Sequence, residues 1–328
     1  MRIGLFTFPT SIDGFVADVE MGIDEGFSSF WLPQIFGIDA LTAISIAARE
    51  IPDVTFGTSV IPTYPRHPMA LAQQALTTQA ATDGRLTLGI GLSHQVVIEG
   101  MYGMSFDKPA IHMRDYLDVL LPLVRTGKVN HVGKTLTGKG QLGIDGSSPF
   151  PVMIAAMAPR MLELAGSIAD GTILWMTGPR TTADYIIPTM AAAAAKAGRS
   201  TPATMMGLPV CVTTDVDAAK ERAAKDYLIY GQLPSYRAML DREGAAGPAD
   251  IAIIGNEAKV RSDVERLVDS GATEFAVSPF GSAEECAATR ALLGSMAAEA
   301  QPEGAVGPGE HRSRAEERSP NVRAGATS

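Results

Sequence analysis

The stretch TDGRLTLGI, Thr82–Ile90, decides the fold. A helical run from Met69 to Asp83 stops at Gly84, a residue free to take the left-handed conformation that closes helices, and an apolar strand begins at once. The same join recurs in DEGFSSFWL (Asp24–Leu32), IADGTILWM (Ile168–Met176) and DSGATEFAV (Asp269–Val277). Around these joins, strand-like and helix-like segments alternate almost from end to end. Eight apolar strands can be read, in order RIGLFTF, SFWLPQ, VTFGTSVIP, LTLGIGLS, PVMIAAM, GTILWMT, MMGLPVCVTT and EFAVSPF. Parallel strands need crossover connections and cover on both faces. Eight of them with intervening helices predict an α/β fold of the closed (β/α)8 TIM-barrel type. The rival is an open doubly wound sheet, but TFPTSIDGF at the first helix carries no glycine-rich dinucleotide fingerprint.

Two segments depart from the repeat. His94 to Pro109 reads as a long loop, and Val129 to Asp145 turns on glycine and asparagine as a small hairpin. Long insertions in a compact barrel are usually lids or binding loops. With the region around Tyr230 to Leu240, the first of them is expected to shape the substrate site. Residues 1–300 are expected to form one barrel domain. The tail 301–328 is rich in Gly, Pro, Ser and charge and lacks aromatics, the last being Phe280, so it is expected to be disordered.

Composition narrows the partners. A net charge of -9 argues against nucleic-acid or anionic-membrane binding, which needs clustered Lys and Arg. Cys211 and Cys286 stand far apart and read as free thiols in a reducing cytoplasm rather than a disulfide or a metal site. No basic-then-apolar leader opens the chain, and no apolar run is long enough to span a membrane. A cytoplasmic protein acting on a small molecule is expected.

In such barrels the site lies at the C-terminal ends of the strands. Four stretches there carry chemistry. FGTSVIPTYPRHP (Phe56–Pro68) ends a buried strand in three prolines with Arg66 and His67 between the last two. GIGLSH brings His94 to the end of the fourth strand, where an imidazole can titrate near neutrality. In AAMAPR, Ala155–Arg160, small residues precede a proline at a first helical position. Free N–H groups there with Arg160 form either an anion seat, most naturally for phosphate, or an ordinary strand-to-helix turn. Trp175, Met176 and Trp31 either wall an aromatic ligand or belong to the core. No HExxH, paired cysteines, His–carboxylate cluster or GxSxG elbow is present, so no metal is expected. Such thin acid–base equipment suggests that a cofactor carries the reaction.

RHPMALAQQALTTQAATDGRLTLGIGLSH (Arg66–His94), AAMAPRMLELAGSIADG (Ala155–Gly171) and GATEFAVSP (Gly271–Pro279) together resemble the bacterial luciferase-like flavin and deazaflavin oxidoreductases, from the first strand to about residue 285. The likeness is strongest to the branch that uses the deazaflavin coenzyme F420. It implies F420, or alternatively FMN, as cofactor, and self-association as a homodimer. It implies a non-prolyl cis peptide at Ser59–Val60 against the central ring. Thr63, Arg66 and His67 would face the cofactor's polar parts or seed the next helix, and the ribityl phosphate would sit at Ala156, Met157 and Ala158. Arg66, Arg160 and Arg180 are candidates for the anionic tail of F420. Relatives that oxidise alcohols carry Asp-His where this chain has Pro33-Gln34. Glutamine can hydrogen-bond a carbonyl but takes no proton. Reduction of an activated C=C, C=N or C=O bond is therefore expected, with Gln34 at the acceptor and His94 as proton donor. An FMN-dependent monooxygenase and a non-catalytic flavin-binding barrel are the alternatives.

Overall fold

A computed structural model describes residues 1–300, so the tail expected to be disordered lies outside the described residues. The eight parallel strands are β1 (Arg2–Phe6), β2 (Ser29–Leu32), β3 (Thr55–Thr58), β4 (Leu86–Gly91), β5 (Val152–Ala155), β6 (Gly171–Trp175), β7 (Ala203–Val212) and β8 (Glu274–Pro279). Each pairs with the next, and β8 returns to β1 with Arg2 opposite Glu274. The sheet is therefore a closed barrel and not an open one. The outer layer comprises α1 (Ile12–Glu25), α2 (Ala40–Glu50), α3 (Pro68–Ala81), α4 (Pro109–Thr126), α5 (Pro159–Ser167), α6 (Ile187–Lys196), α7 (Glu257–Arg266) and α8 (Ala283–Glu299).

The glycine joins have two physical causes. Gly26, Gly84 and Gly271 are left-handed, with φ of 111°, 86° and 78°. Gly171 looks the same in sequence but begins β6, and a Cβ there would sit 2.4 Å from the Ala203 carbonyl oxygen. It is needed for close approach, not for a turn.

Inside the barrel Phe6, Trp31, Met153, Ile173, Met205 and Ala276 pack together. Room for them comes from glycines: a Cβ on Gly57 would lie 2.3 Å from the Trp31 ring, and one on Gly207 would lie 2.5 Å from that of Phe6. At the N-terminal end Glu274, buried, accepts hydrogen bonds from Trp31 Nε1 (2.7 Å) and Ser29 Oγ (2.6 Å) and pairs with Arg2. A larger apolar layer lies between strands and helices, where each fully buried Leu, Ile or Phe contributes about 1.5–3 kcal/mol. The last helix closes on the first: Arg290 holds Asp18 (2.6 Å) and Glu25 (2.8 Å), while Gly26 and Gly294 let the two helices touch.

The hairpin forms from Lys128–Val132 and Thr137–Gln141. Two regions expected as loops are partly helical. A short helix, Gln95–Gly100, occupies the start of the first, and Leu228–Gln232 and Pro234–Glu243 fill the second. Among the described residues no helix is long and apolar enough to cross a membrane.

Candidate active site

A cavity of about 320 Å³ opens at the C-terminal ends of the strands. Its floor is Phe6, Ile173 and Ala155, and its walls come from the loops above. Phe8 follows β1, and Pro33 to Phe36 follow β2. Ser59, Val60 and Pro62 follow β3; Ser93, His94, Val97 and Tyr102 follow β4; Met157 and Trp175 follow β5 and end β6. Ile229, Tyr230, Leu233 and Tyr236 come from the segment after β7. The aromatic walls brace one another edge to face. Trp175 meets Phe6 at 5.5 Å and Tyr230 at 6.0 Å, and Tyr230 meets Tyr236 at 5.0 Å, with the His94 ring 5.8 Å from Tyr236.

The wall at Ser59–Val60 explains the glycines of GIG. The Ser59–Val60 peptide is cis, and the chain then rejoins the sheet at Ile61–Pro62 beside β4. A Cβ on Gly91 would lie 2.5 Å from Val60 Cγ2, and one on Gly89 would lie 2.0 Å from the Thr58 carbonyl oxygen. Thr58 Oγ1 donates to the Gly89 carbonyl (2.8 Å) and accepts from its N–H (2.9 Å). Only glycine permits strands this close.

Past Pro62 the chain turns outward. Thr63 Oγ1 meets His112 Nε2 at 3.0 Å. Arg66 pairs with Asp39, the N-cap of α2, and donates to Gln74. His67 accepts from Met69 N–H through Nδ1 as the N-cap of α3, and its Nε2 lies 3.1 Å from the Thr137 carbonyl. None of these three lines the cavity. The positive charge and imidazole after the strand secure two helix starts and the hairpin. Behind them Tyr64 is sandwiched between His112 (4.0 Å, 5°) and Phe106 (5.2 Å, 29°), its hydroxyl buried without a partner among the described residues. Burial, then Asp107 and Glu99, pushes Tyr64 up to about 12, and burial draws His112 down to about 4 despite Asp115.

At the start of α5, Ala156 is buried, Met157 reaches the cavity, and Ala158 and Arg160 are exposed. The Met157 carbonyl accepts from Tyr185. Arg160 makes no ion pair among the described residues, whereas Arg180 donates to the Arg242 carbonyl.

The site is electrically quiet. Among the described residues, no Asp, Glu, Lys or Arg lines it. Burial lowers the His94 pKa from its ordinary value and raises those of Tyr230 and Tyr236, so all three are neutral at pH 7. Trp175 Nε1 is buried at the wall without a well-formed hydrogen bond, with Tyr230 beside it. Gln34, which lines the cavity, is oriented: its Oε1 accepts the Ala40 N–H of α2 at 2.8 Å, which leaves Nε2 as its donor. Of the sequence candidates, the fold brings together Gln34, Ser59, Val60, His94, Met157 and Trp175. It adds Tyr102 from the loop expected to shape the site, and Phe6 and Phe8, which no sequence motif singles out. Phe6 and Phe8 alternate through the end of RIGLFTF, and that spacing was the available signal.

Two other clusters are already satisfied. Asp115, Asp118 and His131 hold ligand atoms within 4.8 Å of one another, a His–carboxylate cluster that only folding creates. Asp115 accepts from Thr135 N (2.6 Å), Thr135 Oγ1 (2.8 Å) and His131 Nε2 (3.3 Å), which ties the hairpin to α4. A hollow of about 560 Å³ at the opposite mouth is bordered by Arg2, Arg125, Asp170 and Glu274, paired as Arg2–Glu274 and Arg125–Asp170. That N-terminal face serves stability in barrels of this kind.

The chain is 29% identical over 265 residues to the putative coenzyme F420-dependent oxidoreductase Rv3520c of Mycobacterium tuberculosis, covering 76% of this chain and 75% of that one. It is 25% identical over 269 residues to 5,10-methylenetetrahydromethanopterin reductase of Methanolobus tindarius, covering 80% and 81%. The coenzyme F420-dependent tetrahydromethanopterin reductase of Methanopyrus kandleri has the same fold, with a TM-score of 0.75 at 21% identity, over 89% of this chain and 97% of that one. Residues 9–298 match the description of luciferase-like monooxygenases, and the chain belongs to that family of enzymes.

Proposed function

We propose that this protein is an F420-dependent oxidoreductase that reduces an activated C=C, C=N or C=O bond of a small molecule. The observation that carries the reading is the quiet, aromatic-walled cavity with one oriented amide donor, Gln34, and one half-buried neutral imidazole, His94. The relatives named for F420 agree with it.

The lining fits a flat deazaflavin. Aromatic and aliphatic walls suit the ring, and Ser59 and Ser93 offer polar contacts to its edges. Ser59, Val60, Met157 and Trp175 would hold the ring. The exposed start of α5 at Ala158 would take the phosphate, and the unpaired Arg160 would meet the anionic tail. When bound and reduced, F420 supplies a hydride.

The chain's own residues do the rest. Gln34 Nε2 donates to the acceptor oxygen or nitrogen, where negative charge develops, a contribution of the oxyanion-hole kind. His94 delivers the proton. Its lowered pKa makes the imidazolium a stronger acid than a free one and ties reduction to lower pH. Phe8, Tyr102, Trp175 and Tyr230 exclude water and so strengthen both interactions.

Titration of the purified apo protein with F420 and, separately, with FMN tests the proposal by fluorescence. Micromolar or tighter F420 binding with weak FMN binding supports it. The reverse preference moves the protein to the FMN-dependent monooxygenases, and binding of neither leaves a non-catalytic barrel.

A further inference from the structure

The rim of the cavity is as informative as its depth. Phe8, Ile35, Phe36, Tyr102 and Ile229 are 55%, 55%, 60%, 43% and 54% exposed, although every one of them lines the opening. They arrive from four separate segments, after β1, β2, β4 and β7, so no single amphipathic element accounts for them. Apolar surface gathered from several segments around one opening marks a surface meant to be covered by ligand. Among the described residues no Asp, Glu, Lys or Arg lines the opening, and the His94 imidazole is neutral at pH 7, so nothing there pairs with a charged guest. A carboxylate or phosphate carried into this lining would lose its water and gain nothing in return. What the lining does offer is the oriented Nε2 of Gln34, which matches a single neutral acceptor atom.

We infer that the substrate is an uncharged, largely apolar molecule with one carbonyl or imine acceptor at Gln34, its hydrocarbon body lying across the rim of Phe8, Ile35, Phe36, Tyr102 and Ile229, and that carboxylate- or phosphate-bearing analogues are refused. The inference rests on the reading of this mouth as the active site. It does not depend on which cofactor the mouth holds.

The test uses two aromatic enones with the same acceptor, 4-phenylbut-3-en-2-one and its para-carboxylate. Both are titrated calorimetrically into the protein with and without F420. The neutral ketone is expected to bind, and the carboxylate to bind at least about 100-fold more weakly. An Ile35→Arg variant should gain at least about tenfold for the carboxylate, as expected of a new charge-assisted contact, while an Ile35→Gln control should not. Because Ile35 is exposed, neither change threatens the fold. Equal or tighter binding of the carboxylate to the wild type, binding of neither ketone, or indifference to Ile35→Arg overturns the inference. Discrimination between the ketones without any F420 binding would sink the cofactor reading and leave this one standing. F420 binding without discrimination would do the opposite.

Discussion

His112 carries a prediction that can be worked through in numbers. It is 7% exposed, stacked on Tyr64, 5.8 Å from the Tyr116 ring, and held by Thr63 through Nε2, with Asp115 the one charged group that favours its protonation. Burial takes its pKa from 6.5 to about 4. The folded state therefore resists a proton that the unfolded chain accepts readily. Its contribution is fully present above the unfolded value and is lost as pH falls toward the folded one. At about 1.36 kcal/mol per pKa unit, the loss is roughly 2 kcal/mol at about pH 5 and roughly 3 kcal/mol once pH is below the folded value. A His112→Phe variant keeps the stacked ring but cannot titrate. It leaves the Thr63 hydroxyl without this partner, so near neutrality it should be less stable than the wild type by about 1–3 kcal/mol. The two should converge by about 2 kcal/mol as pH falls to about 5, and the variant can overtake below that. Urea unfolding of both proteins across this range, taken as a difference at each pH, cancels every other titrating group. A stability difference that stays flat with pH would refute the reasoning.

Three further outcomes follow from the geometry. Gln34→Glu keeps an acceptor for the Ala40 N–H but removes the donor, so kcat/KM for a reducible ketone should fall about 100-fold while F420 affinity holds. His94→Gln should lower reduction by about 10²–10⁴-fold and abolish the rise in rate expected of the wild type as pH drops below neutrality, since only the protonated ring is the acid. Gly89→Ala would press a methyl group to 2.0 Å from the Thr58 carbonyl oxygen and 2.3 Å from Ile173 Cδ1; a loss of at least about 3 kcal/mol in denaturant unfolding is expected.

The barrel was legible because its punctuation is local. A helix ending at Gly26, Gly84 or Gly271 announces itself within a few residues, and so does the apolar strand that follows. Gly171 shows the limit: its reason lies in β7, some thirty residues on, yet its sequence setting mimics the others. The site divided in the same way. His94, Ser59 and Val60 follow from the rule that strand ends carry chemistry. Arg66 and His67 satisfy that rule in sequence but not in space, because the chain turns outward after Pro62 and their partners, Asp39 and Thr137, lie far away along it. The orientation of Gln34 depends on Ala40 N–H becoming the free end of a helix, which no composition reveals.

The meeting of the first and last helices sets the order in which this protein can be finished. Strand β1 needs β8 as its neighbour, Glu274 draws donors from Arg2, Ser29 and Trp31, and Arg290 reaches back to Asp18 and Glu25. Every one of these contacts spans more than two hundred residues. During synthesis the N-terminal strand must wait, with one edge unpaired, until nearly all of the barrel has left the ribosome. Such distant closures are slow to form, and an open sheet edge invites another chain meanwhile. The seam that makes the finished barrel cohesive is thus the point where a nascent copy is most exposed to its neighbours. A circular permutant that joins α8 to β1 and opens the chain elsewhere would turn the last closure into one of the first.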